Sequence, residues 1–201
     1  MANRREIAMR TAIIAILTSS AISVSTSAAV LVADATNLTK VFKTAMDGDT
    51  IKVSGNFGSL TLQNRTFATR VTLDATNAVF ADTLTIQNVH GLTVLRGTFG
   101  SPTMKMRSSQ AVAVTKSSNV KFQSNKFIGT GVTAGAEADK GLTIRESKLI
   151  QVANAKFDNN LVGISVGTST DVKLRSNRFV GMTSDGINIV NSHRVTATAN
   201  S

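Results

Sequence analysis

Residues 163–179 read GISVGTSTDVKLRSNRF, and three other stretches lie over them without a gap: 83–99 (TLTIQNVHGLTVLRGTF), 111–127 (AVAVTKSSNVKFQSNKF) and 141–157 (GLTIRESKLIQVANAKF). A fifth copy, GINIVNSHRVTATANS at 186–201, stops where the next residue would be Phe. Every copy opens with two apolar residues separated by one other, as in Leu84/Ile86, Val112/Val114 and Ile164/Val166. A second pair follows, as in Leu92/Val94, Val120/Phe122 and Val172/Leu174. Alternation of this kind, punctuated by Gly, Asn and Ser, calls for short strands joined by tight turns. Strands that recur at a fixed period with no helix between them describe a solenoid, in which each coil stacks on the one before.

The unit keeps its length while the connector after each Phe varies. Residues 100–110 and 128–140 are long connectors; 158–162 and 180–185 are short. Side chains pointing inward should stack on their equivalents about 4.8 Å away, the spacing between paired strands. Phe99, Phe127, Phe157 and Phe179 are therefore expected to form one internal column. Two residues before that Phe stand Gly97, Asn125, Asn177 and Asn200, residue types that tolerate a left-handed bend, so a turn is expected there. Ala155 breaks the pattern in one coil.

Upstream, Leu38, Val41, Phe42 and Ala45 recur at helical spacing within 36–49, with Thr36 or Asn37 as N-cap and Gly48 as terminator. Residues 50–53 (TIKV) then alternate as a strand. Such a helix would be the lid that covers the apolar cross-section of the first coil. From 59 to 80 the alternation continues as an irregular coil, with Ala68 and its neighbours as extra turn residues.

Two hundred and one residues carry a formal charge of +10 and no cysteine, so disulfides and thiolate metal sites are excluded. The basic balance points to anionic partners. Nucleic acid is disfavoured: Trp and Tyr are absent, and with them the exposed aromatic platforms on which single-stranded bases stack. At the N-terminus Arg4, Arg5 and Arg10 precede an apolar run at 12–17 and a Ser/Thr/Ala-rich tail. That order is characteristic of a secretory signal peptide over 1–29, cleaved after Ala29 or as late as Ala33. The mature protein, 34–201, would be secreted, periplasmic or on the cell surface, with no membrane span left once the signal is removed. The unfinished fifth copy gives the expectation that further coils lie beyond Ser201.

The repeat G-I-x-[IV]-x-x-[ST]-x-x-V-x-[LF]-x-S-N-x-F resembles that of right-handed parallel β-helix proteins of the pectate-lyase-like superfamily, including secreted bacterial pectate lyases, alginate lyases and uronan epimerases. The resemblance covers nearly all of the chain after the signal. It implies an all-β fold, a single-chain right-handed parallel β-helix with a short N-terminal capping helix. It also implies a protein that binds or acts on acidic polysaccharide along the first sheet, walled by the long connectors. Activity is left open between a polysaccharide lyase, a uronate epimerase and a non-catalytic adhesive or structural solenoid, since a fold of this kind hosts many functions. Calcium is implied only through the resemblance; the sequence itself offers no acidic cluster and no evident cofactor.

Outward positions on the first strand of each coil are Thr85, Ala113, Thr143, Ser165 and Asn188, and, two residues on, Gln87, Thr115, Arg145, Gly167 and Val190. Thr143, Arg145, Ser165 and Asn188, with Lys105, Arg107 and Lys140 of the long connectors, are the substrate-binding candidates. A second pattern is basic: Lys126, Lys156 and Arg178 each precede the Phe in successive coils, with Lys121, Lys173 and Arg175 on the neighbouring strand. Uronate elimination or epimerisation needs a base for the proton α to the carboxylate and a cation to stabilise the enolate. Asp139, Asp185, Arg145 and His193 are the candidates. The Asp185-Gly186-Ile187 step is similar to one near family active sites, while the Asp-Pro-His-Glu motif of alginate epimerases is absent. His90 and His193 share a place in the unit but lie four coils apart, so they cannot hold one metal ion.

Overall fold

The computed structural model describes residues 27–102, 110–131 and 139–201. It opens with β1 (Val30–Ala33), α1 (Leu38–Thr44), β2 (Thr50–Phe57), the long bent β3 (Leu60–Phe80), β4 (Leu84–Leu95) and β5 (Thr98–Phe99). Two full coils of three strands follow: β6 (Gln110–Thr115), β7 (Ser118–Gln123) and β8 (Lys126–Ile128), then β9 (Lys140–Arg145), β10 (Lys148–Ala153) and β11 (Lys156–Asp158). A third coil holds β12 (Val162–Gly167), β13 (Thr170–Arg175) and β14 (Arg178–Val180), and the chain closes with β15 (Ile187–Val190) and β16 (Thr196–Thr198). Every strand pairs in parallel with its equivalent in the neighbouring coil, so the single sheet curls into a solenoid of three faces.

The register is the one the repeat requires: Leu84, Val112, Leu142, Ile164 and Ile187 form one column, and Leu92 and Val120 another. In the complete coils these inward residues have no exposed surface. A buried aliphatic or aromatic side chain contributes roughly 1.5–3 kcal/mol, so the column of apolar pairs is the main stabilising element. The phenylalanine column is longer than the repeat suggested. Six rings stack from Phe57 through Phe80, Phe99, Phe127 and Phe157 to Phe179, with centroids 4.6, 5.0, 5.3, 4.5 and 5.0 Å apart. Gly163 opens its unit because a Cβ there would stand 2.6 Å from the Phe179 ring.

Each coil turns through three left-handed residues, and their place corrects the reading of the asparagine position. The bend falls one residue earlier, at Arg96, Ser124, Asn154, Ser176 and Ala199, with φ of 52 to 58°. The other two sets are Asn88, Lys116, Glu146, Thr168 and Asn191, and Gly91, Asn119, Leu149, Asp171 and Arg194. The asparagines have a different task. Asn125 Oδ1 accepts from the Gly97 N–H at 2.8 Å while its Nδ2 donates to the Val94 carbonyl; Asn177 does the same for Ala155 and Val152, and Asn200 for Asn177 and Leu174. Gly97 itself has no need of a left-handed conformation. It is small because a Cβ there would lie 2.6 Å from Phe99 Cζ.

A serine ladder runs down a second corner. Ser117, Ser147, Ser169 and Ser192 each accept from an amide of the preceding coil at 3.1 or 3.2 Å and donate to the carbonyl two residues back. Both ladders satisfy amides that the turns withdraw from the sheet, where an unpaired buried N–H would cost about 1–3 kcal/mol.

At the N-terminal end α1 packs as the expected lid, burying Leu38, Phe42 and Ala45. Its cap chemistry differs from the expectation. Asn37 Oδ1 accepts from the Asp34 N–H instead of capping the helix, and the helix ends at Thr44, ahead of Gly48. The last carbonyls are taken by the guanidinium of Arg65, which donates to Lys43 O and Ala45 O and lies 4.9 Å over the Phe67 ring. In β3 a register shift between Thr66 and Val71 accommodates the extra residues around Ala68. Strand β1 pairs with β2 through Val30–Ala33; a boundary after Ala29 leaves it whole, one after Ala33 removes it. The remainder of the expected signal peptide lies outside the described residues.

Candidate functional site

Among the described residues, three polar surfaces bear on function. The first is the outer face of the first sheet, where Thr85, Ala113, Thr143, Ser165 and Asn188 align, with Gln87, Thr115, Arg145, Gly167 and Val190 beside them. Arg145 is exposed and Ser165 half-buried, but Thr143 is 4% exposed and its hydroxyl has no partner among the described residues. Asn188 Nδ2 reaches Asp185 Oδ2 at 3.5 Å, the outer limit of a hydrogen bond. Lys140 begins β9, at the edge of this face. Lys105 and Arg107 lie outside the described residues.

The acidic candidates at this edge are dispersed. Asp139 is 9% exposed, and its Oδ2 accepts from the backbone N–H and the hydroxyl of Thr130 at 2.6 and 3.1 Å. Its Oδ1 is buried without a partner among the described residues, as are both polar atoms of the fully buried Asn160. The two residues are neighbours: Asp139 Oδ2 and Asn160 Cα both lie 2.6 Å from where a Cβ on Gly129 would sit. Asp185 is exposed two coils beyond Asp139, where its carbonyl accepts from the Gly163 N–H of the coil between them at 2.9 Å. Arg145, at the far end of β9, is about 20 Å along the strand from Asp139 at roughly 3.3 Å per residue. Asp82, two coils before Asp139, is occupied structurally by Ser59 and Thr83. No three His, Asp or Glu side chains converge among the described residues.

The second surface is basic. Lys126, Lys156 and Arg178 occupy one register column on the third sheet. Lys121 and Lys173 align across Gln151 on the second, and Arg175 stands beside Ala153. Lys126, Arg178, Lys173 and Arg175 are exposed. At the edge of this face Asp171 pairs with Arg194 and lies near Lys173; on the third sheet Asp158 binds Lys156 at 2.6 Å. That last pair is surface-exposed and worth about 0–1 kcal/mol; the other cations of the face carry no ion pair among the described residues.

The third surface was not legible as a site. A groove of about 460 Å³ runs along the corner between the first and second sheets, over the serine ladder. One wall is made by the left-handed residues Lys116, Glu146, Thr168 and Asn191, the other by Ser118, Lys148, Thr170 and His193. The second wall is in register: Lys148 pairs with Ser118 and Thr170, and Thr170 bridges His193. Only its placement in three dimensions shows His193 among polar neighbours. His90 lies outside the groove and is committed to Ser118, Nδ1 to Oγ 2.7 Å.

Parallel three-strand coils closed by side-chain ladders define a β-solenoid. The chain matches the family model described as the right-handed β-helix region over residues 7–201 and belongs to that family. No curated protein matches it. No helix among the described residues is long and apolar enough to cross a membrane.

Proposed function

We propose that this β-helix is an exported protein that binds acidic polysaccharide across the basic face of its second and third sheets. The observation that carries the reading is the column Lys126–Lys156–Arg178 with Lys121, Lys173 and Arg175 alongside. Like charges at strand spacing repel one another, and a linear polyanion that repeats its carboxylates along the solenoid axis relieves that repulsion. The basic net charge and the charged–apolar–small order of residues 1–29 accord with a protein that meets such a polymer outside the cell.

Binding is favoured over turnover because two of the four candidates for enolate chemistry stand apart: Asp139 accepts hydrogen bonds from Thr130, and Arg145 lies at the other end of the same strand. Incubation with alginate or pectate is therefore expected to give no unsaturated uronate absorbance. The direct test is affinity for polygalacturonate as a function of salt. The triple variant Lys126→Gln, Lys156→Gln, Arg178→Gln should weaken binding about tenfold or more near 0.1 M salt and flatten its salt dependence. Unchanged affinity in that variant would overturn the assignment.

A further inference from the structure

We infer that the corner groove over the serine ladder is a separate saccharide site, built for an oligosaccharide that carries one carboxylate among neutral sugars. It rests on the glycan reading above for the class of ligand but uses none of the basic face.

The floor and the walls have different roles. The floor hydroxyls of Ser117, Ser147 and Ser169 are spent within the fold, each accepting one amide and donating to one carbonyl. They fix the depth of the groove and offer a ligand little. The walls are the reverse. No side-chain atom of Lys148, Thr168, Thr170, Asn191 or His193 has a partner among the described residues. Five hydrogen-bonding side chains therefore face one groove with no partner among the described residues, open to water or to a ligand, in two rows that repeat at about 4.8 Å along the solenoid axis. Among the described residues no Ala, Val, Leu, Ile, Met or Phe lines the groove, and the His193 imidazole is its one ring. Such a surface recognises a straight, polyhydroxylated ligand, and at 460 Å³ it has the volume of an ordinary small-ligand site.

The charge pattern narrows the class. Glu146 lies 3.9 Å from Lys116 and offsets it, leaving Lys148 as the one ammonium of the groove without an ion pair among the described residues. Lys148 and His193 flank Thr170 from the coils on either side. A single carboxylate seated over Thr170 would meet the hydroxyl, the ammonium and the imidazole together, while Thr168, Asn191 and Glu146 are left for ring hydroxyls. A chain charged at every residue, whether polyuronate or phosphodiester, would bring further anions against Glu146. Dense polyanions thus belong to the basic face and sparsely charged saccharides to the groove.

The test is titration of the full chain with aldotriouronic acid (one glucuronate on two xyloses), followed by amide chemical shifts, with xylotriose as the neutral control. Shifts are expected at Ser118, Lys148, Thr170 and His193. Lys148→Ala and Thr170→Val should each weaken binding about tenfold, the scale of a hydrogen bond to a charged group, and xylotriose should bind about tenfold more weakly. Both substituted residues are outside the core, and an unchanged thermal midpoint separates lost recognition from lost folding. Equal binding of xylotriose, shifts elsewhere, or unaltered affinity in both variants would overturn the inference. The triple variant of the basic face should keep the trisaccharide; if it loses polymer binding nowhere yet the groove variants behave as stated, the basic-face assignment alone fails.

Discussion

Leu149 shows what a single residue gives up to complete a coil. It holds φ +56° with its side chain half exposed, in a position filled elsewhere by Gly91, Asn119, Asp171 and Arg194. A left-handed conformation costs an L-residue roughly 1–2 kcal/mol, and asparagine bears it better than leucine because its short polar side chain bonds locally. Little burial is lost on replacing an exposed leucine. Leu149→Asn is therefore expected to raise unfolding free energy by about 0.5–1 kcal/mol, measured by denaturant titration. A fall in stability would mean that Leu149 packs in a way its exposure does not reveal.

Among the elements, the asparagine ladder has one gap. Each asparagine accepts from an amide of the coil before it; the Ala155 N–H donates to Asn177 Oδ1, but Ala155 offers the Asn125 amide no side-chain acceptor. Ala155→Asn should close the ladder and stabilise by about 1 kcal/mol, the net worth of a hydrogen bond, with slower exchange at the Asn125 amide. Asn177→Ala should destabilise by more, since it strands both the Ala155 amide and the Val152 carbonyl. The two ladders also show what a sequence can and cannot display. The phenylalanine and apolar columns are visible because one residue type recurs at one offset. The left-handed positions are hidden because lysine, glutamate, threonine, leucine, arginine and serine all occupy them, held there by the surrounding sheet. The same blindness hid the groove, whose walls are those turn residues and their neighbours. The basic column was visible, since strict register turns a spacing in sequence into a line in space. The first-sheet candidates align as expected, yet which outward side chains are accessible depends on cover that the repeat does not encode, as the buried Thr143 illustrates.

In the whole molecule, stability is close to a sum over coils and the contacts between neighbours, so weakening one contact between coils loosens that pair before the rest. Among the described residues β15 and β16 pair with β12 and β13, and Arg194 clasps Asp171 through two hydrogen bonds of 2.5 and 2.7 Å. The Arg194 hydrogen bond and charge hold the Asp171 carboxyl below the usual carboxylate range, with Lys173 adding to the effect. A carboxyl whose value is lower folded than unfolded stabilises above the unfolded value, near pH 4, and loses that contribution as pH falls through the lower folded value. Asp171→Asn keeps a residue suited to its left-handed backbone while removing the charge. Amide exchange in 187–198 should be faster in this variant than in the natural sequence at pH 7. The difference should shrink in high salt and vanish in strong acid; a difference that persists below the folded value would show that charge is not its cause.

The ladders also point one way. The Val89, Ser117, Ser147 and Ser169 amides wait for an oxygen that arrives only with the following coil, and so do those of Gly97, Ala155 and Asn177. A ribosome or a translocation channel releases the chain from its N-terminus, so each coil emerges with turn amides still facing water and is finished by its successor. During synthesis the newest coil is thus the provisional one, its turn amides bonded to water until the next coil brings the serine and asparagine oxygens.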